Sequence, residues 1–478
     1  MSRIPAADFD PYVILITMGR FNNLSVVKPV PPALSVPIVT PRIASGSPSA
    51  TTPRIVIRNY NPLQRAGFFL LLLYTFSLVS LVNEVTINVF GFKPYATIVV
   101  GPLALLCAFA SGDILRALNS RIGLSLVAFS LWMLATVPFS VWRTGSLQLL
   151  GDYFLKSLPI FFMTAALAVR LQDCRRFINT LGIGAIVILL VAFRFSTVTQ
   201  GRLAISFGSF ANPNDLSTHL IVLLPFVFFM GFAGRSTVLA RPVIAIALAG
   251  LVYTVLRTGS RSGFIGLVAV AAMLILKATP TQRVVLLLLF VIGSLAAVSI
   301  LRGVVVERFA TLFSSSSDTG DLTATQRLGT IGSNQGRIYL LKRSVQMTLA
   351  HPIFGVGPGQ FEVAENNRAK EHGKRGLWLG THNSYTQVSS ETGIPGLILF
   401  ASVLFWSLHV CNSIYRKARR DARFSEIANM AFAILASLVG FSVNIFFSHI
   451  AYSYYLPMLA GLTVSFALAA RKEMSEAA

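Results

Sequence analysis

The chain has 478 residues, of which 54% are hydrophobic and only 12% are charged. A soluble domain carries about 25% charged residues, so this composition excludes an ordinary water-soluble globule. The net charge is +22, and we attribute it to membrane topology and not to nucleic-acid binding, because cytoplasmic loops of membrane proteins collect Lys and Arg.

Residues 1–60 differ in kind from the rest of the chain. They contain the segment VVKPVPPALSVPIVTPRIASGSPSATTPR, which is rich in Pro, Ser and Thr. Such a composition buries too little apolar surface to fold, so we predict a disordered tail. The apolar run at 12–18 is too short to cross a membrane.

Apolar runs of about 20 residues recur from residue 61 onward, and each is long enough to cross a bilayer. Lipid satisfies no backbone polar groups, so these runs must be helices. The sequence therefore predicts an all-α, polytopic transmembrane bundle of about twelve spans. Nine spans fall within residues 61–301 and three within 392–478, at 66–83, 94–110, 122–141, 150–169, 178–195, 214–232, 239–256, 263–276, 284–301, 392–411, 427–446 and 450–470.

The short connections on one side of these spans are all basic. They hold residues such as Arg116, Arg175, Arg241 and the cluster Arg416–Arg423, and the tail after the last span begins with Arg471. The positive-inside rule assigns this side to the cytoplasm. We therefore expect both termini to be cytoplasmic and residues 302–391 to form one large external loop.

This loop is about 90 residues long, whereas the other connections have fewer than about twenty. Loops of that length are usually functional or disordered. Within it, GRIYLLKRSVQMTLA places Ile338, Leu341, Val345 and Leu349 at helical spacing. That pattern predicts an amphipathic helix against the membrane surface, among short helices of the loop.

Three sets of arginines stand on the predicted external side. Arg257 and Arg261 lie in RTGSRSGF at the end of the seventh span, Arg202 precedes the sixth span, and Arg337 opens the loop helix. Arginines at helix ends can simply anchor them by reaching the interface. External charge runs against the bias of the other loops, however, and a guanidinium fork suits phosphate oxygens.

One histidine stands out in the segment THNSYTQVSSETGIPGLILF before the tenth span. His382 is followed by Tyr385, and Glu391 lies at the membrane boundary. A lone interfacial histidine is usually an ordinary hydrogen-bonded side chain, but a neutral imidazole is also well suited to accept a proton near pH 7. Tyr385 or Glu391 is a candidate for orienting it.

Metal chemistry has little support in the sequence. Glu362 and Glu365 can share a helix face, but nearby Arg368 and Lys370 favour a solvated charged helix. Cysteine and histidine occur in no ligand spacing, so the sequence predicts no metal site and no cofactor.

Taken together, these segments resemble the O-antigen ligase and O-antigen polymerase family of bacterial envelope glycosyltransferases. The resemblance rests on TGSRSGFIGL, GRIYLLKRSVQMTLAHPIFGVGPGQF and HNSYTQVSSETGIPGLILF, with FANPNDLSTHL before an apolar span, and it covers roughly residues 66–470. It implies a multi-pass protein of the bacterial inner membrane. It also implies metal-independent, inverting transfer of a glycan from a polyprenyl-diphosphate carrier to a hydroxyl acceptor, either lipid A-core or a growing polysaccharide.

The resemblance carries the catalytic roles of the family to Arg261, Arg337 and His382. We predict Arg257, Arg202, Tyr385 and Glu391 as further substrate-binding residues. Ligase, polymerase and protein O-glycosylation all remain open, because they share a donor and differ only in the acceptor. A transporter or flippase of the same lipid-linked glycan is the competing class, with Lys156 and Arg194 as its intramembrane charges.

Overall fold

The computed structural model describes residues 61–92, 94, 96–199, 201–233, 237–277, 283, 324–373 and 378–477, all within one compact unit, Asn59–Ala478. The predicted disordered tail at 1–60 and the ninth predicted span at 284–301 lie outside the described residues.

Helices dominate the described part of the chain. The first group runs from the start of the unit to the first strand: α1 (Pro62–Val79), α2 (Val82–Phe90), α3 (Ala96–Ala110), α4 (Arg121–Thr136), α5 (Arg143–Asp152), α6 (Leu158–Leu167) and α7 (Leu171–Phe195). The second group is α8 (Pro213–Phe228), α9 (Ala240–Arg257), α10 (Arg261–Lys277), α11 (Ala324–Ala350), α12 (Phe361–Glu371), α13 (Ser384–Ala418), α14 (Ser425–Asn444) and α15 (Tyr455–Glu476).

The predicted all-α, polytopic character is confirmed. Seven of the described helices are long and apolar enough to cross a membrane, and Thr97–Ala110 is a shorter apolar helix. Each predicted span other than 284–301 coincides with helical structure in the described residues. The predicted span at 150–169 is interrupted, because a π-helical turn, Tyr153–Ser157, separates α5 from α6. Pro159 in the first turn of α6 lacks the N–H that an uninterrupted helix would need.

A short β-hairpin departs from the predicted all-helical pattern. Strands β1 (Ser196–Thr199) and β2 (Arg202–Ile205) pair antiparallel, with Thr199 opposite Arg202. Gly201 has a φ of 73°, which suits the turn between them. The hairpin continues the chain beyond the end of α7 and brings Arg202 back toward the bundle.

The core of the bundle is formed by α8 and α14, which are the most enclosed of the candidate spans, whereas α9 is the least enclosed. Both α8 and α14 pack against α10, and α14 also packs against α13. Helix α13 contacts α4 and α11 as well, so it joins the loop helices to the bundle.

The predicted amphipathic helix is present but is longer than expected, because α11 has 27 residues. Its stripe of Ile338, Leu341, Val345 and Leu349 is exposed, as a face against lipid requires. The opposite face buries Leu340 and Met347 in a small cluster with Val356 and Phe361.

An ion pair fixes α11 to α12. Arg343 Nε donates to Glu365 Oε2 at 2.8 Å, and the Tyr339 hydroxyl donates to Glu365 Oε1 at 2.6 Å. The expectation of a solvated charged helix around Glu365 is therefore wrong for this residue, which is only 5% exposed. A buried carboxylate needs such partners, and α11 supplies them.

Helix α13 is broken at Gly393, where φ is 75° and ψ is −178°. The freed backbone groups are satisfied by the loop before α12, since Ile394 N donates to Pro352 O at 2.8 Å. A Cβ at position 393 would lie 2.0 Å from Ile353 O, so only glycine fits. The break falls beside the predicted start of the tenth span at 392, so residues 384–392 form a separate helical segment next to the loop.

Candidate active site

Four segments that are distant in sequence meet at one cavity of about 240 Å³. They are the start of α10, the middle of α11, the residues directly before α13, and the connection after α14. The cavity is lined by Arg261, Ile265, Arg337, Ile338, Leu341, Thr381, His382, Asn383, Phe446 and Phe447. The structure therefore brings together Arg261, Arg337 and His382, the three residues predicted to be catalytic. All four segments border connections that the sequence predicts to be external.

His382 is held on a short strained segment. Its φ is 50°, a left-handed conformation that non-glycine residues adopt rarely and that often occurs at functional sites. The next residue, Asn383, caps α13 by accepting hydrogen bonds from Tyr385 N at 2.9 Å and Thr386 N at 3.1 Å. The capped helix therefore fixes the position of the residue just before it.

Hydrogen bonds tie this segment to the connection between α14 and α15. Ser384 N donates to Ile445 O at 2.8 Å, and the Ser384 hydroxyl donates to Ser448 O at 2.7 Å. As a result, His449 comes close enough for its ring to meet that of His382 edge to face, with 5.2 Å between the ring centroids. A side chain at Gly380 would collide with the His449 ring, so the two segments approach as closely as they can.

The environment of His382 favours the neutral imidazole. Burial, then His449 and then Arg337 lower the pKa of His382 from 6.5 to about 4. Within the described part of the chain its ring nitrogens form no hydrogen bond with another residue. They are available to a ligand, in contrast to His219, whose two nitrogens bond Tyr455 Oη and Val79 O inside the core.

Arg261 is the first residue of α10, at the positive end of the helix dipole. The turn before it is well ordered, because the Ser260 hydroxyl accepts from Gly263 N at 3.2 Å and bonds the Ser262 hydroxyl at 2.8 Å. Helix termini of this kind favour anions. A guanidinium placed there adds a full positive charge at the same point.

Arg337 is half-buried on α11 and borders the same cavity. The ion pair between Arg343 and Glu365 holds the C-terminal half of α11 against α12. Cavity residues Ile338 and Leu341 adjoin Arg337 on the exposed stripe. The cavity therefore combines two guanidiniums and an imidazole with apolar walls, which strengthen electrostatic interactions by excluding water.

Arg202 and Arg257, which were predicted to bind substrate, do not line this cavity. Arg202 Nε donates to Thr258 O at 2.9 Å, and its Nη2 donates to Asn214 Oδ1 at 2.8 Å. These bonds brace the turn that leads to Arg261. Arg257 is the last residue of α9, and only three residues separate it from Arg261 at the start of α10.

Tyr385 and Glu391 were the candidates for orienting the imidazole, and neither hydrogen-bonds to it in the described structure. The Tyr385 hydroxyl donates to Ser442 O at 3.1 Å. Glu391 is buried and accepts from Gly359 N at 2.9 Å and from Phe361 N at 3.4 Å. Tyr385 therefore joins α13 to α14, and Glu391 holds the loop before α12. The predicted roles of both residues in substrate binding stay predictions.

Sequence reasoning missed His449 and the neighbouring Phe446 and Phe447. His449 lies in a short connection between the predicted spans 427–446 and 450–470. The connection SHIAYSYY is unusual in combining a histidine with hydroxyl and aromatic side chains in so few residues. That composition was the available signal, but the contact with His382 depends on how α13 and α14 pack.

Residues 245–401 match the family described as O-antigen ligase, and this range includes Arg257, Arg261, Arg337, His382 and the start of α13. The chain is also 27% identical over 300 residues to the exopolysaccharide production protein ExoQ of Rhizobium meliloti (strain 1021).

That alignment covers 58% of this chain and 63% of the relative, so the chain spans less than two thirds of the relative's length. The family match covers all three longer motifs in full, and only FANPNDLSTHL lies outside it. The resemblance to the O-antigen ligase family, inferred from these motifs, is thus confirmed over residues 245–401.

Proposed function

We propose that the protein is a membrane glycosyltransferase that moves a glycan from a polyprenyl-diphosphate carrier to a hydroxyl acceptor. The observation that carries this proposal is the meeting of Arg261, Arg337 and His382 in one cavity with apolar walls. The family match and the exopolysaccharide relative support glycan transfer in general.

The two arginines suit the leaving group. As the bond between the anomeric carbon and the diphosphate oxygen breaks, the electron pair leaves with the diphosphate, which gains negative charge. Arg261 and Arg337 can stabilise that charge, and the N-terminus of α10 adds to it. Because these groups supply the positive charge, we propose that the transfer needs no metal.

His382 suits the acceptor. Its neutral imidazole takes the proton of the acceptor hydroxyl while the oxygen bonds to the anomeric carbon from the face opposite the diphosphate. This displacement inverts the anomeric configuration. Burial is the main cause of the lowered pKa, which leaves a weak base in the free protein. A bound diphosphate offsets the charge of Arg337, the smallest of the three causes, and so raises the pKa of His382 above its value in the free protein.

We propose the inner membrane as the location, with the site on the periplasmic face, from the placement of basic loops. A flippase of the same lipid-linked glycan is less consistent with the structure. Lys156, one of its two proposed intramembrane charges, pairs with Asp152 at 2.6 Å, and both side chains are about 70% exposed. The other, Arg194, stacks on Phe195 in the last turn of α7.

His382→Ala is the direct test. Loss of a general base costs about 10²–10⁴ in rate, so purified variant protein should transfer lipid-linked glycan at a rate near background. Binding of the lipid-linked donor should persist because both arginines remain. Parental transfer rates in His382→Ala would contradict the proposed role of the imidazole. A variant that moves donor across vesicle membranes without transferring it would favour the flippase.

A further inference from the structure

A second, larger cavity of about 680 Å³ lies on the same predicted external side of the bundle. It is bordered by the end of α1, the region from α5 to the π-helical turn, the start of α12, and the connection between α14 and α15. Small-molecule sites typically measure about 300–1,000 Å³. Nothing in the mechanism proposed above uses this cavity.

Its walls have the composition of a sugar-binding site. Of the four tryptophans in the chain, Trp142 and Trp378 are half or more exposed, and both line this cavity. The flat face of a pyranose ring presents C–H groups that pack against aromatic rings, while its hydroxyls need polar partners at the rim. Asp152, Glu362 and Gln360 supply such partners here.

Gln360 provides independent evidence for a ligand. Its side chain is only 3% exposed, yet its Oε1 has no hydrogen-bond partner in the described structure, while its Nε2 donates to Pro358 O at 3.3 Å. A buried acceptor without a donor costs free energy, so such atoms usually indicate an absent partner. A sugar hydroxyl in the cavity would donate this bond.

Two local distortions also occur at the cavity wall. Trp378 has a φ of 48°, which is a strained conformation for so bulky a residue and holds its indole 58% exposed. The π-helical turn Tyr153–Ser157 presents Tyr153, Lys156 and Ser157 to the same space. π-Helical turns inside α-helices are frequent at functional sites.

The charge of the cavity distinguishes a sugar from a lipid headgroup. Asp152 and Glu362 are acidic, and Lys156 is paired with Asp152. Because Asp152 and Lys156 neutralise each other, the carboxylate of Glu362 remains to repel an anionic headgroup. Tryptophans that merely mark the membrane interface would also not require a buried amide with an unpartnered oxygen next to them.

The cavity is close to the reacting groups. Trp378 is four residues from His382, so their Cα atoms are separated by no more than about 14 Å. On the other wall, Tyr452 is three residues from His449, whose ring contacts that of His382. A third cavity of about 450 Å³ shares Leu78 and Tyr454 with this one, which leaves room for more than one sugar.

We propose that the cavity bounded by Trp142, Trp378 and Gln360 binds sugar residues of a glycan whose reacting end lies at His382. This inference rests on the proposed function for the identity of the glycan, but sugar binding can be measured without transfer. The glycan can be the one being transferred or the one that receives it.

The test uses the full-length protein in detergent and an end-labelled oligosaccharide. The oligosaccharide is released by mild acid from the envelope polysaccharide of the organism that makes the protein, and it carries no lipid or phosphate. Equilibrium dialysis should show saturable binding. Trp378→Ala and Gln360→Ala should weaken it about tenfold, whereas Trp378→Phe should retain most of it. Trp406→Ala, the same substitution at a tryptophan outside the cavity, should bind like the parent.

His382→Ala separates this inference from the proposed function, since it should abolish transfer and leave oligosaccharide binding unchanged. Kinetics then identify the glycan: Trp378→Ala raises the KM for the acceptor if the cavity holds the acceptor, and the KM for the donor if it holds the donor. No saturable binding by the parent, or unchanged binding in both Trp378→Ala and Gln360→Ala, would overturn the proposal.

Discussion

The rings of His382 and His449 stand nearly perpendicular, with an interplanar angle of 83° and 5.2 Å between their centroids. His449 thus packs against the side chain to which we assign proton transfer, and its proximity is one of the causes that lower the pKa of His382. This relationship makes His449 a positioning residue that acts through His382.

His449→Ala should reduce transfer about tenfold, because the His382 ring loses the neighbour that limits its rotation. His449→Phe should restore most of the activity, since it keeps an aromatic ring without a titratable group. The acid limb of the pH–rate profile should move to higher pH in His449→Phe, because one of the causes that depress the pKa of His382 is gone. Equal losses in the two variants, with an unchanged pH profile, would indicate a purely structural role.

The proposed base also predicts a difference between two pH profiles of the parent protein. Only neutral His382 accepts a proton, and its pKa in the free protein is lowered to about 4. The profile of kcat/KM reports the free protein and should stay flat from pH 8 to about pH 5, falling only as the pH approaches 4. The profile of kcat reports the complex, in which the bound diphosphate offsets Arg337, and should fall at a higher pH. Coincident acid limbs would contradict the effect of the diphosphate on His382.

The positions of the apolar helices could be predicted from local patterns, because apolar length is visible in the sequence itself. The break at Gly393 falls in the sequence Gly-Ile-Pro-Gly, whose glycines and proline are local turn signals. The hairpin at 196–205 was missed although TVTQGRLAI has three consecutive β-branched residues before a Gln-Gly turn signal. In a chain dominated by apolar helices, that short signal was read as part of a connection.

The contacts between distant segments could not be predicted in the same way. The Ser384 hydroxyl bonds Ser448 O across 64 positions of sequence, and this bond brings His449 to His382. Likewise, Trp142 and Trp378 line one cavity although they are far apart in sequence. No local spacing encodes either relationship, since each depends on how whole helices pack.

Glu391 offers a test between a structural role and the substrate-binding role that the sequence predicted. Its carboxylate accepts from Gly359 N and Phe361 N, so Glu391→Ala leaves buried donors without partners, at about 1–3 kcal/mol each. We expect a lower unfolding temperature for Glu391→Ala and a smaller decrease for Glu391→Gln, which keeps one acceptor oxygen. Thermal unfolding in detergent would measure both. An unchanged unfolding temperature combined with a raised KM for the donor would instead support direct contact with substrate.

Arg261 and Arg337 provide the sharpest test of diphosphate binding. A guanidinium can donate two parallel hydrogen bonds to phosphate oxygens, whereas the ammonium of lysine is a point charge. Arg261→Lys and Arg337→Lys should therefore each lower kcat by at least about tenfold while the variants remain folded in the membrane. Arg176→Lys, the same change at an exposed arginine of α7 away from the cavity, should transfer at the parental rate. If the arginines only anchored helix ends at the interface, lysine would serve equally well, and both variants would match this control. The loss should appear with short as well as long lipid-linked glycans, because the diphosphate is common to all of them.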